Sequence, residues 1–327
     1  MRQLKGIHHV TAITSSAEKI YEFFTYVLGL RLVKKTINQD DINTYHLFFA
    51  DDRGSPGTDM TFFDFPGSLK GEAGTDQIDR TGFRVPSDEA LMYWKKRFEA
   101  KSVEHEDIKV IFGRSSLYFT DFDGQRYALF SDEGVPGIAP GIAWEKGPIP
   151  NQYAIYGLGP IFIAVSEPEY MNEILTKQLG LRFVAKEENQ RLYEMGEGGN
   201  GASVIIIEDQ TTHRGMQGYG SVHHVAFRIE DKEELDEWTR HFNRIGAPNS
   251  GYVDRFYFKS LYTRLYRPVL FELATEGPGF IDDEEPYETL GEILALPPRF
   301  RNMRERIEKL VRPIDTKRSH LTIEKEL

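Results

Sequence analysis

The chain repeats itself. Leu28 to Arg31 read "LGLR" and so do Leu179 to Arg182, at an offset of 151; each copy follows a helix-like segment ("AEKIYEFFTYV", "EYMNEILTKQ") and precedes a strand-like one ("LVKKT", "FVAKE"). A second pair, "TGFRVPSDEALMYWKKRF" and "VAFRIEDKEELDEWTRHF", aligns without gaps at an offset of 144 and superposes Phe83 on Phe227, Trp94 on Trp238 and Phe98 on Phe242. The interleaved repeats divide the chain into four units in the order A, B, A′, B′, and a fold built by repetition leaves few alternatives. Each unit opens with an alternating strand, runs through one amphipathic helix and ends in three short strands, which in the first unit are "RLVKKTIN", "TYHLFFAD" and "DMTFFDF". The expected fold is of the α+β class, with four βαβββ modules. In chain order, residues 1–133 hold modules 1 and 2. The Gly- and Pro-rich residues 134–151 form a linker, and residues 152–280 hold modules 3 and 4. Residues 281–327 follow as an acidic segment, a helix over "PPRFRNMRERIEKLVR" and a polar tail expected to be mobile.

Composition narrows what such a fold can do. A hydrophobic fraction of 40% with 22 Phe and 16 Tyr is ample for packed cores. With no cysteine, any metal must be held by nitrogen and oxygen. A net charge of −11 argues against nucleic acid, whose binding depends on Lys and Arg at phosphates. No secretory h-region or membrane-spanning apolar run is read, so the expected location is the cytoplasm, with no membrane partner. No dinucleotide fingerprint is read after a strand, so neither nicotinamide nor flavin is expected. A small molecule is the expected partner, and homo-oligomerisation is left open.

Four of the nine histidines form two adjacent pairs, in "GIHHVTAIT" (His8, His9) and "SVHHVAFRI" (His223, His224). The offset of 151 puts Gly159 and Pro160 where His8 and His9 stand, and the offset of 144 puts Asp79 and Arg80 where His223 and His224 stand. Histidines needed for packing the βαβββ unit would be wanted in all four copies. Appearing only in the first and last, they point to function. Neighbouring strand residues face opposite ways, so one histidine of each pair can reach a given site. Glu272, in the apolar "RPVLFELATEGPGF", is a third candidate, because a carboxylate in such a strand needs a partner. An offset of 141 sets it against Ser131 of "YALFSDEG". Two histidines and one carboxylate suit Fe(II), with Mn(II) able to use the same ligands and zinc less favoured. His46 is read as a pocket or core residue, and His105, His213, His241 and His320 as surface residues. The runs "DDEEP" and "RFRNMRERIEK" are read as solvated faces.

The four modules, with "GIHHVTAIT", "LGLRLVKKT", "SVHHVAFRI", "DRFYFKSLY" and "LFELATEGPGF" in this order, resemble the vicinal oxygen chelate (glyoxalase-like) superfamily. Within it they are similar to the ring-cleaving dioxygenases that act on hydroquinones. The resemblance covers nearly the whole chain. It implies two half-barrel domains and His9, His224 and Glu272 as ligands of Fe(II) or Mn(II). It also implies catalytic roles for His8, His223, Arg255 and Tyr262, a substrate contact from Thr11, and a small aromatic substrate and O2 as the partners. Ligands from the first and last modules must meet at one ion, so modules one and four should share a half-barrel. One departure stands out: relatives tend to have Pro-Gly-Gly before the "LFE" strand, and this chain has "RLYRPVLFE". Two other activities fit the same fold. One is a glyoxalase-like isomerase or thiol transferase, which would recruit a fourth protein ligand; the other is a protein that only sequesters an aromatic molecule.

Overall fold

Each "LGLR" marks the end of a helix. Helix α1 (Ala17–Glu22) widens into a π-helical turn (Phe23–Val27), and α3 (Pro168–Glu173) into another (Ile174–Gln178). Leu28 and Leu179 close these turns by donating to the carbonyls of Phe23 and Ile174. Gly29 and Gly180 follow at φ +72° and +73°, left-handed backbone that reverses the chain and that a residue with a Cβ adopts only at a cost. The repeated tetrapeptide is therefore a helix stop joined to a strand start.

The computed structural model describes residues 3–282 and 284–326. Unit one consists of β1 (Ile7–Ile13), α1, β2 (Arg31–Asn38), β3 (Asp41–Ala50) and β4 (Asp59–Phe63). Unit two has β5 (Gln77–Val85), α2 (Asp88–Lys101), β6 (Lys109–Ile111), β7 (Arg114–Thr120) and β8 (Arg126–Ser131). Unit three has β9 (Gly157–Val165), α3, β10 (Arg182–Glu187), β11 (Gln190–Glu194) and β12 (Ser203–Glu208). Unit four has β13 (Ser221–Ile229), α4 (Lys232–Arg244), β14 (Val253–Asp254), β15 (Lys259–Thr263) and β16 (Phe271–Thr275). The described strands make two eight-stranded sheets, β14-β15-β16-β13-β1-β4-β3-β2 and β10-β11-β12-β9-β5-β8-β7-β6. Units one and four share the first half-barrel, and units two and three share the second. The segments 1–133 and 152–280 thus describe chain order, since each contributes one unit to each sheet.

One face of each sheet packs into a common core with the helices, with Val10, Val225, Phe83, Phe227, Trp94 and Trp238 all essentially inaccessible. The other faces are concave and differ in filling. The second half-barrel is closed by Tyr118, Phe130, Phe162, Leu192 and Ile205, whereas the first gathers its apolar group around Phe48, Tyr257 and Phe258 and keeps open space beside it.

Several expectations are corrected. The spacing G-x-G-x-x-G does occur, at Gly196–Gly201 after β11, but it leads through a short 3-10 turn into β12. It opens no helix, so no dipole faces a phosphate. A Cβ on Gly196, the first glycine of that spacing, would lie 2.9 Å from the Lys5 carbonyl oxygen, so close backbone packing accounts for the glycine there. The tail is docked: Arg318 is buried and donates to the carbonyls of Leu32 and Leu290, and Lys325 donates to those of Glu145 and Ile149. The acidic run is not a solvated face either, because Glu285 is fully buried with Oε2 2.7 Å from the equally buried Lys34 Nζ of β2. His241 lies buried against Trp238 and Phe242 on α4. Among the described residues no helix is long and apolar enough to cross a membrane.

The Lys34–Glu285 pair holds the C-terminal segment onto the half-barrel that carries the histidine pairs. Lys34→Met should destabilise the protein by about 3–5 kcal/mol, because it strands a buried carboxylate. The double variant Lys34→Met/Glu285→Gln should recover most of that loss. Urea midpoints of the three proteins check both statements.

Candidate metal centre

The centre of the first sheet is the antiparallel pair β1–β13, in which Val10 stands opposite Val225, His9 opposite Ala226 and Thr11 opposite His224. A local two-fold axis through the Val10–Val225 pair exchanges His9 with His224. Both valines face the core, so by the alternation of strand side chains both His9 and His224 face the concave side. They are diagonal neighbours there, close enough for their rings to meet. Parallel strands flank this pair and place Glu272 of β16 beside Ala226, and Thr61 of β4 beside Thr11. Register also corrects the counterpart of Glu272. Leu273 pairs with Phe227 and Leu129 with Phe83, so the residue of unit two equivalent to Glu272 is Ala128, not Ser131. The conclusion that unit two lacks the carboxylate is unchanged.

His9, His224 and Glu272 converge and are buried. The Glu272 Oε2 is 3.0 Å from His224 Nε2 and 3.1 Å from His9 Nε2, and the two Nε2 atoms are 3.3 Å apart. Although these oxygens lie at hydrogen-bond distance, no N–H is directed at either oxygen of this fully buried carboxylate. Three donor atoms at right angles around an ion at about 2.0–2.2 Å would stand about 3.0 Å apart, so the spacing fits a divalent cation at one face of an octahedron. Burial alone would push the Glu272 carboxyl up, but the two imidazoles outweigh it and hold it well below the usual range, so the site offers an anion.

The neighbouring histidines determine which nitrogen bears the free lone pair. His8 Nε2 lies 3.0 Å from the Thr275 carbonyl, which can only accept, so Nε2 carries a proton. Burial, reinforced by His9, pushes the His8 pKa down to about 3, so the ring is neutral and Nδ1 bears a lone pair. The proton in the 2.9 Å contact between His8 Nδ1 and His9 Nδ1 must then belong to His9, which leaves the lone pair of His9 Nε2 free to face the centre. His223 and His224 repeat the contact at 2.8 Å, with His223 likewise pushed down to about 3 by burial and the adjacent His224.

A cavity of about 310 Å³ opens beside the three ligands, and His9, His224, His223, Arg255 and Tyr262 all line it. Phe48, Phe63, Phe65, Tyr257 and Phe258 supply aromatic walls, and the bulky turn before "LFE" contributes Leu270. That turn is pinned to the other half-barrel by Tyr266, whose hydroxyl donates to Asp76 at 2.7 Å. Arg255 Nε donates to the Tyr262 hydroxyl at 3.1 Å. Burial, helped by the Glu272 carboxylate, pushes the Tyr262 hydroxyl up, so it keeps its proton. Two expected residues are set back from the cavity. His8 is sealed behind Phe258, with ring centroids 5.2 Å apart. Thr11 is fully buried and presents its hydroxyl to His224 Nε2 at 3.0 Å and to Thr61 at 2.7 Å. Two residues escaped the sequence reading. Asp40, in the β2–β3 turn, pairs with Arg255 at 2.9 Å, and Thr61 occupies the two-fold counterpart of the Glu272 position. A turn aspartate carries no signal of its own, and the histidine offset of 215 carries Glu272 to Gly57, so Thr61 emerges only from the sheet register.

The chain matches the family model of the Glyoxalase/Bleomycin resistance protein/Dioxygenase superfamily over residues 6–129 and 157–276. It is 44% identical over 317 residues to MhqA of Bacillus subtilis, which is named provisionally as a ring-cleaving dioxygenase, covering 95% of this chain and 99% of the relative. It is 28% identical to the chlorohydroquinone/hydroquinone 1,2-dioxygenase of Sphingobium indicum, covering 93% of this chain and 95% of that protein. A crystal structure of a provisionally named dioxygenase from Bacillus subtilis superposes with a TM-score of 0.88 at 34% identity, covering 97% of this chain and 99% of that one.

The geometry separates loss of metal from loss of turnover. His9→Ala, His224→Ala and Glu272→Ala should each abolish stoichiometric binding of a divalent metal. His8→Ala and His223→Ala should keep most of the metal at saturating concentration, with affinity or rate falling by about 10- to 100-fold. Metal analysis of the dialysed proteins distinguishes the groups. A metal-free His8 variant beside a fully loaded His9 variant would reverse the assignment.

Proposed function

Since the chain belongs to the Glyoxalase/Bleomycin resistance protein/Dioxygenase superfamily, we propose that it is an Fe(II)-dependent, extradiol-type dioxygenase that opens the ring of hydroquinones or related dihydroxybenzenes with O2. One observation carries this reading. Three protein atoms converge on the centre, and the position where the local two-fold axis would bring a second carboxylate holds Thr61, whose hydroxyl already contacts Thr11 at 2.7 Å and His46 at 2.9 Å. An isomerase of the glyoxalase type would be expected to fill that position with a fourth ligand. Three protein ligands leave about three octahedral positions free, room for a ring oxygen and O2 together.

When bound, Fe(II), or Mn(II) in its place, would carry electron density from the ring to O2. The protein's own residues supply placement, charge and proton traffic. Phe48, Phe63 and Phe258 suit a flat apolar ring. The Tyr262 oxygen accepts from Arg255, so the hydroxyl proton remains free for a substrate oxygen, and the guanidinium behind it stabilises negative charge developing there. His223 borders the cavity and can exchange a proton with substrate, whereas the sealed His8 holds His9 in its coordinating tautomer.

The Fe(II) protein should consume about one O2 per hydroquinone, yield a ring-opened acid and need no nicotinamide or flavin, because cleavage of the ring supplies all the electrons that O2 takes up. An oxygen electrode gives the ratio, and mass spectrometry of product formed under ¹⁸O₂ should find both atoms in it. Turnover that proceeds equally well without oxygen, giving unlabelled product, would hand the protein to the isomerase reading.

A further inference from the structure

We propose that His46 is a specificity-determining residue of this cavity: its imidazole takes the ring hydroxyl that does not bind the metal, and so favours diols whose second hydroxyl lies across the ring. The inference rests on the aromatic-diol reading above. His46 stands on β3 with its ring between Phe48 and Phe63, at centroid distances of 4.0 and 4.4 Å. For packing alone, a phenylalanine would complete this aromatic wall without a polar group to satisfy. The imidazole is instead fixed by one hydrogen bond, Nε2 to Thr61 Oγ1 at 2.9 Å. Thr61 leads on to Thr11 at 2.7 Å and Thr11 to His224 Nε2 at 3.0 Å. Two threonine hydroxyls therefore link the imidazole to His224, and His46, His9 and His224 line one cavity.

The other nitrogen, Nδ1, has no hydrogen-bond partner among the described residues, yet it is not among the buried unpartnered atoms. It is accessible on a residue that lines the cavity, and so is available to a ligand. Burial holds the ring neutral, with one N–H and one lone pair. Whichever nitrogen carries the proton, the free one can donate to a hydroxyl or accept from it. A vicinal diol would keep both oxygens at the metal and leave this nitrogen unused. A para diol with one oxygen on the metal carries the other across the ring to the far wall.

The test compares hydroquinone with 4-methylphenol, which has the same shape but a methyl group in place of the second hydroxyl. Binding to Fe(II)-loaded protein is followed anaerobically by intrinsic fluorescence, so that no turnover is needed. The wild-type protein should bind hydroquinone about 5- to 30-fold more tightly than 4-methylphenol, the effect of one well-placed hydrogen bond. His46→Phe should reduce that ratio to within about twofold without changing metal content or catechol affinity, and His46→Gln, which keeps a polar head, should restore most of it. A wild-type ratio near one, a ratio that survives in His46→Phe, or an equal loss of catechol affinity would overturn the role of His46 alone. If the wild-type protein bound none of the three rings, the aromatic-diol reading would fall and this inference with it.

Discussion

Everything chemical in this molecule depends on β1 lying antiparallel to β13 with Val10 opposite Val225. That register turns His9 and His224, 215 residues apart, into diagonal neighbours and aims both rings into one concave face. It also brings β4 and β16 to the flanks, and with them Thr61 and Glu272. A slip of one residue would part His9 from His224 and send one of the two rings towards the core. The valines oppose such a slip, because they are fully buried on the opposite face, where a histidine would lose its hydrogen bonds. Apolar packing on one side of the sheet thus sets the geometry of polar chemistry on the other.

This pairing makes the site depend on the longest closure in the chain. Units two and three are adjacent in the chain, and their central strands β5 and β9 close the second half-barrel across the Gly- and Pro-rich segment between them. Joining units one and four brings together the two ends of the chain, the more costly closure in chain entropy. The two barrels are also filled differently. In the second, Arg80 and Pro160 stand where the first has its metal-facing histidines, Phe162 and Ile205 pair across the floor, and Arg80 stacks on Tyr118 at 3.8 Å. That concave face is a core. The equivalent face of the first barrel carries a cavity and three groups whose isolation from water is offset when a cation takes their lone pairs.

Legibility in the sequence followed locality. The "LGLR" tetrapeptides could be read because a helix stop is a property of a few consecutive residues, and the histidine pairs because two strong repeats bracket them. Glu272 was legible as a carboxylate out of place, but its counterpart was not. A short apolar strand such as "YALFS" matches "LFELA" at more than one offset, and only the cross-strand partners Phe83 and Phe227 decide between Ser131 and Ala128. The three-residue error is odd, so it would also have put the equivalent residue on the wrong face. Glu285 and Arg318 were misread for a different reason. In sequence they belong to polar runs, and their burial is created by Lys34 and by the carbonyl of Leu32, more than two hundred and fifty residues away. No local pattern carries that information.

The two histidine pairs bear on how one motif acquires two roles. Their strand positions are equivalent, and in both an Nδ1–Nδ1 contact links the pair, so each outer histidine can orient its neighbour. Their surroundings differ. His8 is closed in by Phe258 and by the Thr275 carbonyl, whereas His223 makes an edge-on contact with Phe63, 5.6 Å between centroids, and borders the cavity. Protons therefore have a short path between the cavity and His223 and none of that kind to His8, even though burial pushes the pKa of both down to about 3. A shifted pKa is shared by the pair, and access is not. The asymmetry comes from what unit four adds around the pseudo-symmetric sheet: the Phe256–Phe258 turn that covers one pair, and the Leu265–Leu270 turn that leaves the other facing the substrate space.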